Sequence, residues 1–344
     1  MLKALKKMIN ISDAPSHPFP SQPWDGPYDS NASEADIYSC FRLLLGRRPL
    51  KTEWAGHVSA LVGKPLKEVM LTYLSSTEFK TRDLVGIDEN EIQQVQVDDY
   101  VMYVPIKDPQ VGSAVYRDRI YEPHIHHFFD RLLEPGDCVI DIGANIGYFS
   151  MCAASRVGPE GKVYAFEPYS ENVKMIYLSK RLNDFEQVEI IPMAASDRSG
   201  MCLFDNSGSN GFIRELGGSA SRVINSTPVY MTQVDSMVPS GQSVKLIKID
   251  VEGAEYMAIK GATDVIRQQR PTVVSEFSPE ALKATSQVSA EQYLELFLAY
   301  PDYRFYVFQN EHLVPCGRDV QRVIDHYQQQ GVDHIDIVAT TLDL

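Results

Sequence analysis

The sequence predicts an open, doubly wound α/β sheet preceded by a small all-α module. Two observations lead to this prediction. A buried strand pattern at residues 138–141 runs into a glycine turn and a helix start, and the next strand pattern ends in an acid, Glu167. Alternating strand and helix patterns then continue to the end of the chain, which is typical of a largely parallel sheet with helices on both faces. With 344 residues, the chain is long enough for one large domain and a smaller one.

Composition narrows the possible functions. The formal net charge is -14, and no basic stripe stands out, so no nucleic-acid partner is expected. No apolar run is long enough to cross a bilayer. Residues 1–9 are basic and amphipathic and could make a weak peripheral membrane contact, although a solvated first helix is favoured. The five cysteines are scattered and form no CxxC pair, which predicts reduced thiols in the cytoplasm.

The chain divides into three predicted parts. Residues 1–32 hold the basic segment and a proline-rich linker. Residues 33–83 form the helical module, because a capping pattern at Ser33 precedes apolar residues at helical spacing. Residues 92–344 form the α/β domain, with its core at 121–310.

The elements of the α/β domain follow in order. Residues 92–121 predict strands, with an edge position indicated by Pro105 and Pro109. A hairpin-like excursion is predicted between Ser199 and Ser226, and its segment 206–218 has the flexibility of a lid or of a plain exposed hairpin. The remaining predicted strands lie at 138–141, 163–167, 188–193, 246–250, 272–277, 303–308 and 334–339, and the helices near 122–133, 147–156, 170–182, 254–268, 290–299 and 318–330.

The glycine turn predicts a nucleoside-binding site. Glycine lets the backbone turn tightly, and free N–H groups at the following helix start attract polar groups. Glu167 lies 20 residues after Gly147, where a carboxylate can accept both ribose hydroxyls. Asn145 stands where a dinucleotide turn has its second glycine, and its side chain would crowd a pyrophosphate. S-adenosylmethionine is therefore favoured over a nicotinamide cofactor, and a crossover without a ligand is the remaining alternative.

Each part of this nucleoside has predicted contacts. Asp141 and the turn amides are expected at its amino-acid end, and Glu167 at the ribose. Residues at the end of the third strand are expected near adenine, although Asp197 could equally make an Asx turn. The predicted cofactor-binding residues are Asp141, Gly143, Ala144, Asn145, Gly147, Glu167, Pro168, Ala195, Ser196 and Asp197.

The best catalytic candidates lie at the ends of two later strands. Lys248, Asp250 and Glu252 alternate onto one side of a strand end, where ligands of open α/β sheets bind. Asp250 or Glu252 could act as a general base or hold the acceptor, although Glu252 could equally cap the next helix. Glu276 is a secondary candidate for holding the substrate.

Metal binding is left open. Asp250 and Glu252 could hold a divalent cation, but the sequence does not decide this and no metal ligands are predicted. The histidine cluster at residues 124–127 is expected on the surface of a helix rather than in a metal site.

Five motifs carry a family resemblance. They are Glu134-Pro-Gly-Asp-Cys-Val-Ile-Asp-Ile-Gly-Ala-Asn-Ile-Gly147, Ala165-Phe-Glu-Pro168, Ala194-Ala-Ser-Asp-Arg-Ser-Gly200, Lys248-Ile-Asp-Val-Glu-Gly-Ala-Glu255 and Pro271-Thr-Val-Val-Ser-Glu-Phe277. On these motifs, residues 121–310 resemble the FkbM family of S-adenosylmethionine-dependent methyltransferases. The resemblance implies a Rossmann-like class I methyltransferase sheet and methyl transfer, usually to a hydroxyl of a sugar or natural product. Family members often have His-Pro where this chain has Ser278-Pro279, so no role of that histidine is carried over.

A second resemblance concerns the helical module. Leu44-Leu-Gly-Arg-Arg-Pro49, Glu53-Trp54 and Leu74-Ser-Ser-Thr-Glu-Phe79 resemble the DUF4214 module, which often accompanies enzymes of surface-polysaccharide assembly. The resemblance implies a glycan or other hydroxyl-bearing acceptor in a bacterium. Two alternatives remain, a non-catalytic scaffold and a nicotinamide-dependent oxidoreductase, and the oligomeric state is left open.

Overall fold

The computed structural model describes residues 31–45, 47–76, 78–79, 91–207, 210–214 and 226–344, and only the backbone of residues 206 and 207. The chain divides into two compact units, Met1–Asp88 and Glu89–Leu344. The predicted basic segment at residues 1–9 and the linker up to residue 30 lie outside the described residues.

The described part of the first unit is helical, as predicted. Ser33 caps its first helix, because the Ser33 hydroxyl oxygen accepts from the backbone N–H of Asp36 (3.3 Å) and the Asp36 carboxylate accepts from that of Ser33 (2.8 Å). The buried rings of Phe41 and Tyr73 meet edge to face at 5.4 Å in a small core that belongs to this unit. The helices are α1 Glu34–Leu43, α2 Lys51–Leu61 and α3 Leu66–Leu74.

The second unit is built on an eight-stranded sheet. The strands of this unit are β1 Ile92–Val97, β2 Tyr100–Pro105, β3 Cys138–Ile142, β4 Lys162–Phe166, β5 Val188–Ile191, β6 Ala194–Ala195, β7 Gly200–Ser207, β8 Asn210–Arg214, β9 Thr227–Thr232, β10 Val244–Ile249, β11 Thr272–Phe277, β12 Arg304–Gln309, β13 His312–Gly317 and β14 Ile335–Thr340. The sheet order is β13-β12-β14-β11-β10-β3-β4-β5. Strands β11, β10, β3, β4 and β5 run parallel, and β14 lies antiparallel to both β11 and β12.

The sheet is covered on both faces, which confirms the doubly wound prediction. All five residues of β3 are buried, as expected for a parallel strand between two layers of helices. Ile140 belongs to a core cluster with Ile249 and Phe277 on one face. Its neighbour Val139 belongs to a second cluster with Met151 on the other face, because successive side chains of a strand point to opposite sides.

The helices of this unit differ from the prediction at two places. Residues 92–121 were expected to be strands, but the β1–β2 hairpin is followed by α4, because the Asp108 carboxylate accepts from the N–H groups of Val111 (2.9 Å) and Gly112 (2.8 Å) and starts a helix there. The helix expected at 254–268 is broken at Gly261, where a Cβ would lie 2.0 Å from the Ser196 carbonyl oxygen. The helices are α4 Gly112–Asp118, α5 Pro123–Leu132, α6 Tyr148–Val157, α7 Ser170–Leu182, α8 Val234–Met237, α9 Glu255–Lys260, α10 Thr263–Gln269, α11 Pro279–Thr285, α12 Ala290–Leu298 and α13 Val320–Gln330.

The histidine cluster on α5 is only partly at the surface. His126 is 3% exposed, contrary to the prediction, because its ring lies between the Asp98 carboxylate (2.9 Å) and the Tyr148 hydroxyl (2.9 Å). Arg156 forms ion pairs with Asp98 and with Asp130 beside it. A cation of the protein therefore lies beside both carboxylates.

The predicted excursion forms a small separate sheet with the order β6-β9-β7-β8. β7 and β8 make an antiparallel hairpin, called the lid hairpin below, and part of the expected segment 206–218 lies outside the described residues. None of the described helices combines the length and apolar character needed to cross a membrane.

Candidate active site

A crevice lies where β3, β4 and β10 end, beneath the lid hairpin. Its cavity measures about 50 Å³, which is small beside the roughly 300–1,000 Å³ of typical ligand pockets. Of the predicted residues, the crevice is lined by Gly143, Asn145, Glu167, Pro168, Ala195, Asp250 and Glu252. The predicted residues Asp141, Ala144, Gly147, Ser196, Asp197, Lys248 and Glu276 lie outside this lining.

Close backbone contacts within the protein determine the shape of the glycine turn. At Gly143 the backbone has φ +78°, and a Cβ would lie 1.8 Å from the carbonyl oxygen of Asp250, so only glycine allows the loops after β3 and β10 to touch. The amides expected to be free are already bonded. Gly143 and Ala144 both donate to the Phe166 carbonyl (3.0 Å each), and Gly147 donates to Ala144 (2.8 Å).

Asn145 ties this turn to the acid at the end of β4. Its backbone N–H donates to Glu167 Oε2 (2.8 Å), while its own Oδ1 accepts from the N–H of Ile146 (2.7 Å). Tyr169 donates its N–H to the other Glu167 oxygen (2.8 Å). Burial raises the pKa of Glu167 to about 8, against the opposing effect of these two N–H groups. The carboxyl group is thus fixed in position on the crevice wall.

Asp141 is a buried carboxylate with spare hydrogen-bonding capacity. It is 1% exposed, and its Oδ2 accepts from the Ser150 hydroxyl (2.6 Å). Its Oδ1 is buried and has no hydrogen-bond partner among the described residues. Burial raises the pKa of Asp141, and the Lys248 ammonium opposes that rise. A buried acceptor of this kind suits a charged donor group supplied by a ligand.

The wall nearest β6 is apolar. Phe166, Pro168 and Ala195 line it together with Phe204 and Ile213 of the lid hairpin, which suits the flat apolar face of a base. Ser196 and Asp197, which were expected here, instead bond to each other (3.4 Å). Asp197 also faces Arg198 (3.3 Å), so neither side chain is aimed at the crevice.

A row of titratable side chains lies at the ends of β10, β11 and β14. The Lys248 ammonium lies 3.2 Å from Asp250 Oδ2 and 4.8 Å above the ring of Phe149. Asp250 follows β10, Glu276 lies near the end of the adjacent β11, and Glu276 pairs in register with Asp336 of β14. Buried carboxyl groups this close cannot all be ionised without compensation.

The protonation states in this row follow from their neighbours. Burial works to raise the pKa of Asp250, but the Lys248 ammonium holds it below its usual value. Burial and the Asp250 carboxylate together raise the pKa of Glu276 to about 12. At neutral pH, Asp250 is therefore an ionised acceptor, and Glu276 is a neutral carboxylic acid beside it.

The sequence left open whether Glu252 serves the site or caps the next helix, and the structure shows different contacts for Glu252 and the nearby Glu255. Glu255 Oε1 accepts from the backbone N–H groups of Val251 and Gly253 (3.1 Å each), so Glu255, a residue that the sequence reasoning missed, holds the loop before α9, and none of the described side chains caps that helix at Ala254. Glu252 Oε1 instead accepts from the side chain of Asn210 (3.0 Å). Oxygens of Asp250, Glu252 and Glu276 lie within 4.8 Å of one another, a spacing compatible with a divalent cation.

Two further titratable side chains, one at the start of α5 and one within it, approach β14 and were not predicted as part of this site. Burial, reinforced by the Asp336 carboxylate, raises the pKa of Glu122 to about 8, and Glu122 Oε2 is buried with no hydrogen-bond partner in the described part of the chain. His124 Nε2 lies 2.7 Å from Asp336 Oδ2. Since these residues precede β3 by many positions, only the folded chain shows that they approach β14.

The sheet and the site together define a class of protein. The order β11-β10-β3-β4-β5, the antiparallel β14 between β11 and β12, and the acid after β4 beside a glycine turn are those of a Rossmann-like methyltransferase sheet of class I. Residues 141–305 match the family model described as the methyltransferase FkbM domain. The chain thus contains an FkbM methyltransferase domain, which confirms the resemblance drawn from the motifs.

Solved structures give more distant likenesses. An FkbM methyltransferase from Methylobacillus flagellatus KT is 14% identical, with a TM-score of 0.38 over 62% of this chain and 50% of the other, so this chain spans half the length of that protein. An S-adenosylmethionine-dependent O-methyltransferase from Thermotoga maritima is 16% identical, with a TM-score of 0.34 over 65% of this chain and 67% of the other. An rRNA methylase from Streptococcus thermophilus is 11% identical, with a TM-score of 0.36 over 64% and 95% of the two chains. No curated protein matches the chain.

Proposed function

We propose that this protein is an S-adenosylmethionine-dependent O-methyltransferase that methylates a hydroxyl of a saccharide or glycoconjugate. The observation that supports it most is the pairing of the Glu167 carboxyl with the glycine turn on the wall of one crevice. The FkbM domain match supports methyl transfer as the reaction. When bound, the cofactor would supply an electrophilic methyl group on a sulfonium.

The residues present fit such a cofactor chemically. Glu167 would accept hydrogen bonds from the ribose hydroxyls, and the free Oδ1 of Asp141 would accept from the ammonium of the amino-acid end. The apolar wall that includes Pro168 and Ala195 would take adenine. The turn amides, by contrast, are already used within the protein, so side chains rather than backbone would hold the amino-acid end.

Asp250 is the proposed general base. It is ionised, it lies at the crevice, and Lys248 fixes one of its oxygens at 3.2 Å. It would accept the proton of the acceptor hydroxyl as the new O–C bond forms and the methyl–sulfur bond breaks, with S-adenosylhomocysteine as the leaving group. Glu276, kept neutral by its surroundings, is hydrogen-bonded through its carboxyl group to Asp250 and would help hold the acceptor substrate beside that base. A positioned base contributes roughly 10²–10⁴-fold to the rate, and positioning about 7–11 kcal/mol of the barrier.

A saccharide acceptor is favoured for two reasons. Carboxylates at the ends of neighbouring strands are good partners for the many hydroxyls of a sugar, and the helical module resembles one found beside enzymes of glycan assembly. We further propose that the protein acts in the bacterial cytoplasm and does not take nucleic acid as its acceptor, in keeping with its net charge of -14. Any membrane contact would involve residues 1–9.

Calorimetry with S-adenosylhomocysteine tests the cofactor assignment. The full-length protein should bind it with a dissociation constant in the micromolar range. Replacing Glu167 with Ala should weaken binding by about 1–3 kcal/mol, because the ribose hydroxyls lose a charged partner. Glu171→Ala is the matched control, since Glu171 is half exposed on the next helix. Unchanged affinity in Glu167→Ala would mean that this residue does not hold the ribose.

Two assays separate the alternatives. A fluorescence titration with NADH should give no saturable binding, and saturable binding would favour an oxidoreductase. Transfer from a radiolabelled methyl donor to a panel of glycans should label at least one acceptor. If the donor binds but no glycan, small-molecule or macromolecular acceptor is labelled, a non-catalytic scaffold becomes the better description.

A further inference from the structure

The side chain of Asn210 connects the lid hairpin to both walls of the crevice. The carboxamide of Asn210, the first residue of β8, accepts from Asn145 Nδ2 through its Oδ1 (2.7 Å). Through its Nδ2, it donates to Glu252 Oε1 (3.0 Å). Asn145 belongs to the turn after β3, and Glu252 to the loop after β10. A single asparagine therefore joins both walls of the crevice to the strand that covers it.

Other contacts hold the hairpin in the same position. The backbone N–H of Asn210 donates to Gln110 Oε1 (3.1 Å). The ring of Phe204 on β7 stacks on Tyr169 with 5.5 Å between centroids and 23° between planes. Ile213 is 8% exposed and packs in the same apolar cluster as Ala254. These apolar contacts are near the base of the hairpin, whereas Asn210 acts near its tip.

The hairpin leaves too little room for a nucleoside. The remaining cavity of about 50 Å³ is well below the size of a typical ligand pocket. The ends of β3, β4 and β10 are held on both sides by neighbouring strands of the large sheet. In contrast, β8 is an edge strand that, among the described strands, pairs only with β7, so it can move with the loss of fewer strand hydrogen bonds than β3, β4 or β10.

We propose that the lid hairpin closes the crevice and that Asn210 is its latch, bonded to Asn145 on one side and to Glu252 on the other. The role of the latch in admitting a nucleoside rests on the proposed cofactor, whereas the contacts of Asn210 do not. Because Asn145 and Glu252 both line the crevice, an entering nucleoside would have to displace Asn210 from them. Glu252 would then be a positioning residue that holds the lid, which leaves Asp250 as the base.

Hydrogen exchange of the ligand-free, full-length protein tests the latch directly. Asn210→Ala should speed the exchange of the β7 and β8 amides about tenfold or more, because two hydrogen bonds are lost and one of them is to a carboxylate. Phe212→Ala is the matched control, since Phe212 lies on the same strand and is 43% exposed, and it should exchange as the wild type does. Wild-type exchange in Asn210→Ala would overturn the proposal.

A double-mutant cycle tests the partner. The double variant carries both Asn210→Ala and Glu252→Ala. If the two residues act as a pair, its β7 and β8 amides should exchange no faster than those of the faster single variant. Independent, multiplicative effects would contradict the latch. Circular dichroism of each variant checks that the fold is retained, and the β3 and β10 amides serve as internal references, since their exchange should not change.

Binding kinetics test the purpose of the latch. The association rate constant for S-adenosylhomocysteine should rise about tenfold in Asn210→Ala, because a larger fraction of the protein is open. A faster dissociation with unchanged association would instead make Asn210 a ligand contact, and the latch proposal would fail. If the wild type binds no S-adenosylhomocysteine at all, the proposed cofactor is wrong, and the exchange experiment still decides whether Asn210 fastens the hairpin.

Discussion

Replacing Glu167 with Gln changes how the stability of the protein depends on pH. Glu167 is 4% exposed, and burial raises its pKa from 4.5 to about 8. A carboxyl whose pKa is higher in the folded state binds its proton more tightly there. The stability that it contributes is therefore fully present below its unfolded pKa of 4.5 and is lost as the pH rises towards 8.

The size of the effect follows from that pKa difference. Each pKa unit corresponds to about 1.4 kcal/mol, so wild-type protein should lose at most about 5 kcal/mol through Glu167 between the two pKa values. The Gln variant has no such loss. It has a separate, pH-independent cost of about 1–3 kcal/mol, because the Gln side-chain amide turns a donor towards Asn145 or Tyr169, each of which donates a backbone N–H at 2.8 Å.

Urea unfolding followed by circular dichroism measures this difference between about pH 5 and pH 8. Over this pH range, the free energy of unfolding of the wild type should fall by several kcal/mol more than that of Glu167→Gln. Glu122, whose pKa is also raised to about 8, is present in both proteins, so its contribution cancels in the comparison. Glu171→Gln, at a half-exposed position, should have the slope of the wild type. Equal slopes for wild type and Glu167→Gln would refute a buried, proton-binding Glu167.

Three more predictions follow from the same charges. Binding of S-adenosylhomocysteine should release a proton, because ribose hydroxyls favour the ionised form of Glu167. Calorimetry in buffers of different ionisation enthalpy measures this release, and an affinity independent of pH between about pH 6 and pH 8 would contradict the prediction. Lys248→Met should cost about 3–5 kcal/mol of unfolding free energy, since it leaves Asp250 and Asp141 without their buried cation; a loss below about 1 kcal/mol in urea titrations would show that the ammonium is not needed there. Asp250→Asn should lower the turnover rate by about 10²–10⁴-fold while S-adenosylhomocysteine affinity changes little, and turnover within about threefold of wild type would remove Asp250 as the base.

Features formed by neighbouring residues could be predicted from the sequence. The strand, glycine turn and acid between Asp141 and Glu167 are set by local pattern and spacing, and so is the alternation that brings Lys248 and Asp250 to one side of a strand. The buried run in β3 likewise indicated a parallel strand covered on both faces.

Features formed by distant segments could not be predicted from the sequence. Asn210 reaches the crevice only because the lid hairpin folds back over the strand ends, and Glu122 meets Asp336 only through the docking of α5. The turn amides were expected to be free, but the Phe166 carbonyl of the neighbouring strand accepts from two of them. Position 261, where the helix is interrupted, must be glycine because the Ser196 carbonyl oxygen lies so close, a contact that no local pattern reveals.

A crystal structure of the full-length protein with S-adenosylhomocysteine most directly tests whether this crevice holds the cofactor. We predict density for the nucleoside between the glycine turn and the end of β4, with its ribose hydroxyls on Glu167 and the lid hairpin displaced from Asn145. Density for the nucleoside at any other place, or an unchanged crevice still closed by Asn210 at saturating ligand, would contradict the assignment of this crevice to the cofactor.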